Sequence, residues 1–180
     1  MAFILDSSRS IKNEDFNEEK EIVKKLMMDL DIGPDKDRVA LAQFGATPKL
    51  KAGLGQYEAS TFQDVLQTLP KTDDRTRIDR ALNLAVDKIF PSARQGVHKM
   101  AIILTDGVQS TGAQGLRPCS KPLRDAGVRV IAVGIGDGKQ EGRLQLMTDR
   151  DEDVVDAKNI QGHLQEILYD LSQNDCSKYQ

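Results

Sequence analysis

Six short apolar runs, separated by segments with a helical repeat, constrain this chain more than any other feature. They fall at residues 2–5, 38–44, 48–51, 99–104, 128–135 and 152–156. Those at 100–104 and 128–133 are almost uninterruptedly apolar, the pattern of strands buried on both faces. Ile22, Val23, Leu26, Met27 and Leu30 share one face of a helix, as do Ile78, Leu82, Ala85 and Ile89. Ile160, Leu164, Ile167, Leu168 and Leu171 predict an amphipathic carboxy-terminal helix. Such alternation implies an α/β chain with a doubly wound, mostly parallel six-stranded sheet and helices on both faces, a Rossmann-like arrangement. The run at 48–51 follows its predecessor too closely for a parallel crossover, so it should form one antiparallel edge strand. Gly and Pro fall between the periodic segments with no long linker or repeat, and 180 residues suit one domain spanning 1–180.

Chemistry gathers where two strands end. Asp6-Ser7-Ser8-Arg9-Ser10 follows the first strand, and Thr105-Asp106-Gly107 follows the fourth. Ligands of open parallel sheets bind outside the carboxyl ends of the strands, where neighbouring connections diverge, and two polar loops would meet there. The donors on offer are all oxygen: the carboxylates of Asp6 and Asp106, the hydroxyls of Ser8 and Ser10, and Thr76 from the loop before the helix at 78. Hard cations, Mg²⁺ or alternatively Ca²⁺ or Mn²⁺, suit that set better than zinc or copper. Three neutral hydroxyls leave the cation only partly neutralised, with a position open for an incoming carboxylate.

Catalysis finds little support. His98 precedes the central strand, at the opposite end of the sheet, and His163 sits near the start of the last helix, so neither is placed as a general base. An aspartate-based phosphotransferase or hydrolase using Mg²⁺ would want a second carboxylate two residues after Asp6, where Ser8 stands. Gly134-Ile135-Gly136-Asp137-Gly138-Lys139 lacks phosphate-loop spacing, and Asp149-Arg150-Asp151-Glu152-Asp153 lacks the glycine a calcium loop needs at its sixth position, which is Val154.

A net charge of -3 and a pI near 5.5 give no footprint for nucleic acid or an anionic membrane. No run reaches the roughly 20 apolar residues of a membrane span, so no membrane insertion is expected. The amino terminus carries no signal-peptide pattern, and its abrupt start reads as an excision from a longer protein. Cys119 and Cys176 permit one bridge or two free thiols.

With these residues in place, the chain resembles a von Willebrand factor A domain, the fold also used as the inserted domain of integrins. The resemblance rests on Phe3 to Ile11, Asp15-Phe16, Ile32-Gly33-Pro34, Arg38 to Phe44, Thr76 to Leu82, Leu104 to Gly107 and Val133 to Gly136. It implies a metal-ion-dependent adhesion site at Asp6, Ser8, Ser10, Thr76 and Asp106, completed by a Glu or Asp of a protein ligand. Arg9 stands where many relatives have glycine, placing a long cation at the rim. The wording of 32–40 is most similar to modules of matrilins and collagens. It implies an extracellular, secreted matrix protein that binds collagen or another matrix protein, the alternative being a structural spacer that makes little use of a metal. Integrin relatives shift their last helix on binding; for residues 160–173 ordinary packing is the simpler reading.

Overall fold

Each apolar run becomes a strand of one sheet in the computed structural model, which describes residues 1–137 and 139–176, and side chains as far as residue 172. The strands are β1 (Ala2–Asp6), β2 (Ala40–Phe44), β3 (Lys49–Ala52), β4 (Lys99–Thr105), β5 (Val128–Gly134) and β6 (Val154–Asp156). Their order is β3-β2-β1-β4-β5-β6, with β3 antiparallel to β2 and every other pair parallel. Both sequence expectations, the doubly wound sheet and its antiparallel edge, hold. Strand β1 lies between β2 and β4, and all five of its residues are buried.

Alternation along β1 divides the core in two. Phe3 and Leu5 pack with Phe16, Val23 and Leu26 of α1 (Asn13–Met27), Phe62 and Leu66 of α2 (Ala59–Gln67), and Leu164 of α6 (Ile160–Cys176). Ala2 and Ile4 face the other way, against Ile78 and Leu82 of α3 (Ile78–Leu84), Leu116 and Leu123 of α4 (Leu116–Asp125), and Leu144 of α5 (Glu141–Leu144).

The structure departs from sequence expectation at some boundaries. Helices α2 and α4 have no counterpart in the periodicity reading, and α4 crosses what looks like a breaker. Pro118 sits in its first turn, where the missing N–H costs nothing. Pro122 lies in the interior, where only the burial of Leu116, Cys119, Ser120 and Leu123 on one face explains why the helix persists. Cys119 is buried and unbridged, donating its thiol to Gln114 Oε1 at 3.3 Å; the side chain of Cys176 lies outside the described residues. The expected strand at 38–44 begins at Ala40, because Arg38 turns back to donate two hydrogen bonds to Pro34 O, at 2.9 and 2.7 Å.

The strand expected at 152–156 is shortened to Val154–Asp156 by a 3₁₀ turn over Asp151–Asp153. In that turn the acidic run 149–153 finds a purpose. Buried Asp153 accepts from Arg129 of β5 at 2.7 to 3.1 Å and meets His163 Nε2 of α6 at 3.0 Å. It therefore ties β5, the edge strand β6 and the last helix together. Asp153→Asn keeps an acceptor but leaves the partly buried guanidinium facing the weaker, more exposed charge of Glu152 at 3.8 Å. We expect a loss of about 1–3 kcal/mol in urea unfolding, checked against unaltered protein in the same buffer.

Candidate functional site

Parallel β1 and β4 end side by side, so Asp6 and the Thr105-Asp106-Gly107 loop emerge together at the sheet's carboxyl edge. Asp6 is wholly buried and held on both oxygens: the Ser8 amide donates to Oδ1 at 3.0 Å and the Thr105 hydroxyl to Oδ2 at 2.6 Å. The chain then turns so that three hydroxyls converge. Thr76 Oγ1 donates to Ser8 Oγ at 2.7 Å, Ser8 and Ser10 hydroxyl oxygens lie 3.2 Å apart, and Ser10 and Thr76 lie 3.4 Å apart. Asp106 joins from the facing loop; its Oδ1 accepts from the Val108 amide at 2.8 Å. All five residues singled out in the sequence thus lie in one cluster, from loops separated by up to about a hundred residues.

Three loops hold the cluster in place. Lys71 Nζ donates to Ser8 O at 2.9 Å, and the Arg9 amide donates to Asp74 O at 2.9 Å, tying the 70–76 loop over the start of the Ser-rich turn. Gly45 makes that approach possible, since a Cβ there would lie 1.8 Å from Asp74 Oδ1. Thr76 is pinned at both main-chain groups by Ser110, whose hydroxyl accepts from the Thr76 amide and whose amide donates to Thr76 O, each at 3.0 Å. Three residues on, Asp79 is paired with Arg77 at 2.6 and 2.8 Å, accepts from the Gln114 amide at 3.1 Å and gives its own amide to Gln109 Oε1 at 3.0 Å. Gly107 adopts φ +77°, a left-handed conformation that glycine takes without strain, as the loop folds toward Gln140, whose amide donates to Asp106 O at 2.7 Å.

The electrostatics of the cluster fit a cation. Burial pushes the Asp6 carboxyl up to about 7, only partly offset by hydrogen bonds from Ser8 and Thr105, and the nearby Asp106 pushes it further. Asp106 is itself raised by burial. Two desolvated carboxylates that repel one another, beside three hydroxyls with spare lone pairs, form an oxygen cage whose charge a divalent ion would relieve. Among the described residues no group of three or more His, Cys, Asp or Glu side chains could hold a metal, so any cation here depends on the hydroxyls.

Sequence reasoning missed three contributors. In the sequence Thr105 stands out only by its place before Asp106, not as the donor that orients Asp6, and Ser110 gives no signal because its partner is main chain 34 residues away. The third is Glu19 of α1, fully buried with neither carboxylate oxygen hydrogen-bonded. Burial raises its carboxyl well above the usual range, and the charge of Asp6 adds to the shift. Its signal was present: Phe16, Glu19, Val23 and Leu26 share the apolar face, so a carboxylate falls where a hydrocarbon belongs. Helix α1 begins at Asn13, with Glu14 and Asp15 in its first turn.

Cation-free protein should therefore lose stability as the pH rises. A carboxyl whose folded pKa is raised binds protons that the unfolded chain has released, so its contribution is intact below the unfolded value, near 3.8 for Asp6, and lost as pH climbs through about 7. Melting in the presence of a chelator is expected at lower temperature at pH 7.5 than at pH 5, with a smaller difference in Asp6→Asn.

Comparison with known proteins places the chain. The family model described as von Willebrand factor type A domain matches residues 1–169. The mouse collagen alpha-4(VI) chain is 28% identical over 179 residues, covering 97% of this chain and 8% of its own length. Chicken matrilin-1 is 23% identical over 183 residues, covering 98% of this chain and 36% of its own. Among solved structures, proximal thread matrix protein 1 from the mussel byssus, with a zinc-occupied MIDAS motif, superposes with a TM-score of 0.80 at 26% identity, covering 92% of this chain and 43% of that one. The chain thus spans less than half of each of these relatives. Members of that family among these relatives include collagens and matrilins.

Proposed function

Because the chain belongs to the von Willebrand factor type A family, we propose that residues 1–180 form one adhesion module that binds a protein ligand through a divalent cation. Asp6, Ser8, Ser10, Thr76 and Asp106 would hold the cation. The observation that carries this reading is the convergence of the three hydroxyls, 2.7 to 3.4 Å apart, beside two buried carboxylates at the carboxyl ends of β1 and β4.

A bound cation would supply incompletely neutralised positive charge at the rim, the charge that an acidic side chain of a matrix ligand, collagen among them, is suited to meet. The residues of this chain do the rest. Thr105 and the Ser8 amide orient Asp6 so that it faces the hydroxyl cluster, and outer hydrogen bonds of this type typically hold a ligand's geometry and basicity. Ser110 and the Arg77–Asp79 pair keep Thr76 in reach. Arg9, exposed beside the cluster, adds long-range attraction for an acidic ligand. Mg²⁺, Ca²⁺ and Mn²⁺ are the cations the oxygen donors favour; the zinc in the mussel protein's motif supports a divalent site while weakening the expectation that zinc is unsuited.

The test is calorimetric titration of Mg²⁺, Ca²⁺ and Mn²⁺ into chelator-treated protein, followed by capture of immobilised collagen or matrilin with and without the cation. Saturable uptake together with capture that chelator abolishes is the expected result. Cation uptake without capture would leave a structural spacer, and no uptake would remove the adhesion reading.

A further inference from the structure

Glu19 stands on the buried face of α1, between Phe16 and Val23, and is itself fully buried. Neither of its oxygens accepts a hydrogen bond from a described residue. The lysines that could serve it are engaged elsewhere. Lys20 donates to Leu69 O at 3.4 Å and covers the Phe16 ring at 4.8 Å. Lys71, tied to the Ser-rich turn through Ser8 O at 2.9 Å, pairs with Asp73. A buried carboxyl with neither counter-charge nor donor is among the costliest groups a core can hold, and packing alone gives no reason to keep one there.

Its surroundings explain the missing counter-charge. The charges that act on Glu19 most strongly are those of Asp6 and Asp106, followed by Asp15. Phe3 and Leu5 of β1 pack with α1, and Asp6 is the next residue of that strand, so the helix brings Glu19 beneath the cation cluster. Two buried carboxylates already repel one another there, and a third acid deepens the repulsion in cation-free protein. It deepens the attraction for a cation equally. Among the described residues no three Asp, Glu, His or Cys side chains could hold one ion, which puts Glu19 outside the coordination shell, acting at one remove.

We propose that Glu19 is an outer anion of this cluster, a positioning residue that leaves the ion's shell to the other five side chains and strengthens their hold through Asp6 and the field of a third carboxylate. The role rests on the divalent site of the adhesion reading and adds to it a source of affinity inside α1. Protein without cation is destabilised by the same residue that favours protein with it, a trade between stability and function. A charge acting through space also distinguishes ions by their own charge. Its free energy scales with the product of the two charges, so a tenfold loss for a divalent ion becomes about 30-fold for a trivalent one.

The test compares unaltered protein with Glu19→Gln and Glu19→Met. Each is titrated calorimetrically with Mg²⁺ after chelator treatment, then with the trivalent probe Tb³⁺ by displacement of bound Mg²⁺, and each is melted in chelator. Both variants are expected to bind Mg²⁺ about tenfold or more weakly and Tb³⁺ about 30-fold or more weakly. In chelator Glu19→Met should melt about 2 °C or more above the unaltered protein, because an apolar side chain replaces an unpartnered acid on an apolar face. A residue needed only for packing gives the opposite pattern, with earlier melting in chelator and equal losses for the two ions. That pattern, or Mg²⁺ uptake by both variants equal to that of the unaltered chain, overturns the role of Glu19 and leaves the cation site standing. No uptake by the unaltered protein removes both.

Discussion

Chelator-treated Asp106→Ala protein is expected to take up Mg²⁺ at least on the order of 100-fold more weakly than the unaltered chain, and cation should no longer raise its melting temperature. Loss of an outer-shell partner alone typically costs 10–100-fold in metal affinity, and Asp106 is proposed as a direct or water-bridged ligand carrying one of only two negative charges in the cluster. The same substitution should cost little without cation. Asp106 is buried beside Asp6, its charge raises the Asp6 carboxyl, and it accepts from the Val108 amide and the Ser10 hydroxyl, so removing it trades these hydrogen bonds, about 1 kcal/mol each, for relief of repulsion. The unaltered protein, by contrast, should gain about 2.7 kcal/mol at a cation concentration 100 times its Kd. Differential scanning calorimetry in chelator and in saturating Mg²⁺ separates the two contributions. Equal cation-induced stabilisation in both proteins would remove Asp106 from the ligand set.

Phe3→Ala should be the most damaging single substitution in the core. Phe3 is completely buried in the central strand, and its ring meets Phe62 of α2 edge to face, with centroids 6.3 Å apart at 65°. That contact joins the sheet to a helix absent from the periodicity reading. Truncation removes the transfer energy of a full aromatic ring and leaves a cavity bounded by β1, α1 and α2 that rigid neighbours fill poorly, a cost of ~3–5 kcal/mol. Against a total stability of ~5–15 kcal/mol, and at ~2–4 °C per kcal/mol for a chain this long, the melting temperature should fall by roughly 10 °C. Urea unfolding of Phe3→Ala beside Met28→Ala, whose side chain is 76% exposed, gives the comparison; a Phe3 effect no larger than that of Met28 would contradict the packing described here.

Glu19 shows what a local pattern leaves undecided. Its position on the apolar face of α1 was visible in the spacing, yet a helical stripe tolerates an occasional charge at its margin, and only the packed structure puts both oxygens out of reach of solvent and partners. Helix α4 fails in the opposite sense. Gly115, Pro118 and Pro122 mark a loop by every local rule, and the segment is helical because Leu116, Cys119 and Leu123 must cover the sheet face formed by Ile4, Ala101 and Val130. Helices α1, α3 and α6 were legible because their apolar residues recur at helical spacing without interruption.

The sequence by itself determined the sheet. Strand positions, the antiparallel edge and the polar loops at the ends of β1 and β4 follow from hydrophobic period, loop length and the placement of Asp and Ser, all local quantities that a linear chain displays. It also supplied the chemical type of the site, since oxygen donors of the hard class are a matter of residue identity. Only the tertiary structure decided which groups touch: that Thr105 rather than another hydroxyl holds Asp6, that Ser110 clamps Thr76, and that Asp153 gathers Arg129 and His163. These are contacts between residues tens of positions apart, set by the register of parallel strands and the close approach of loops, and no period within the chain encodes them.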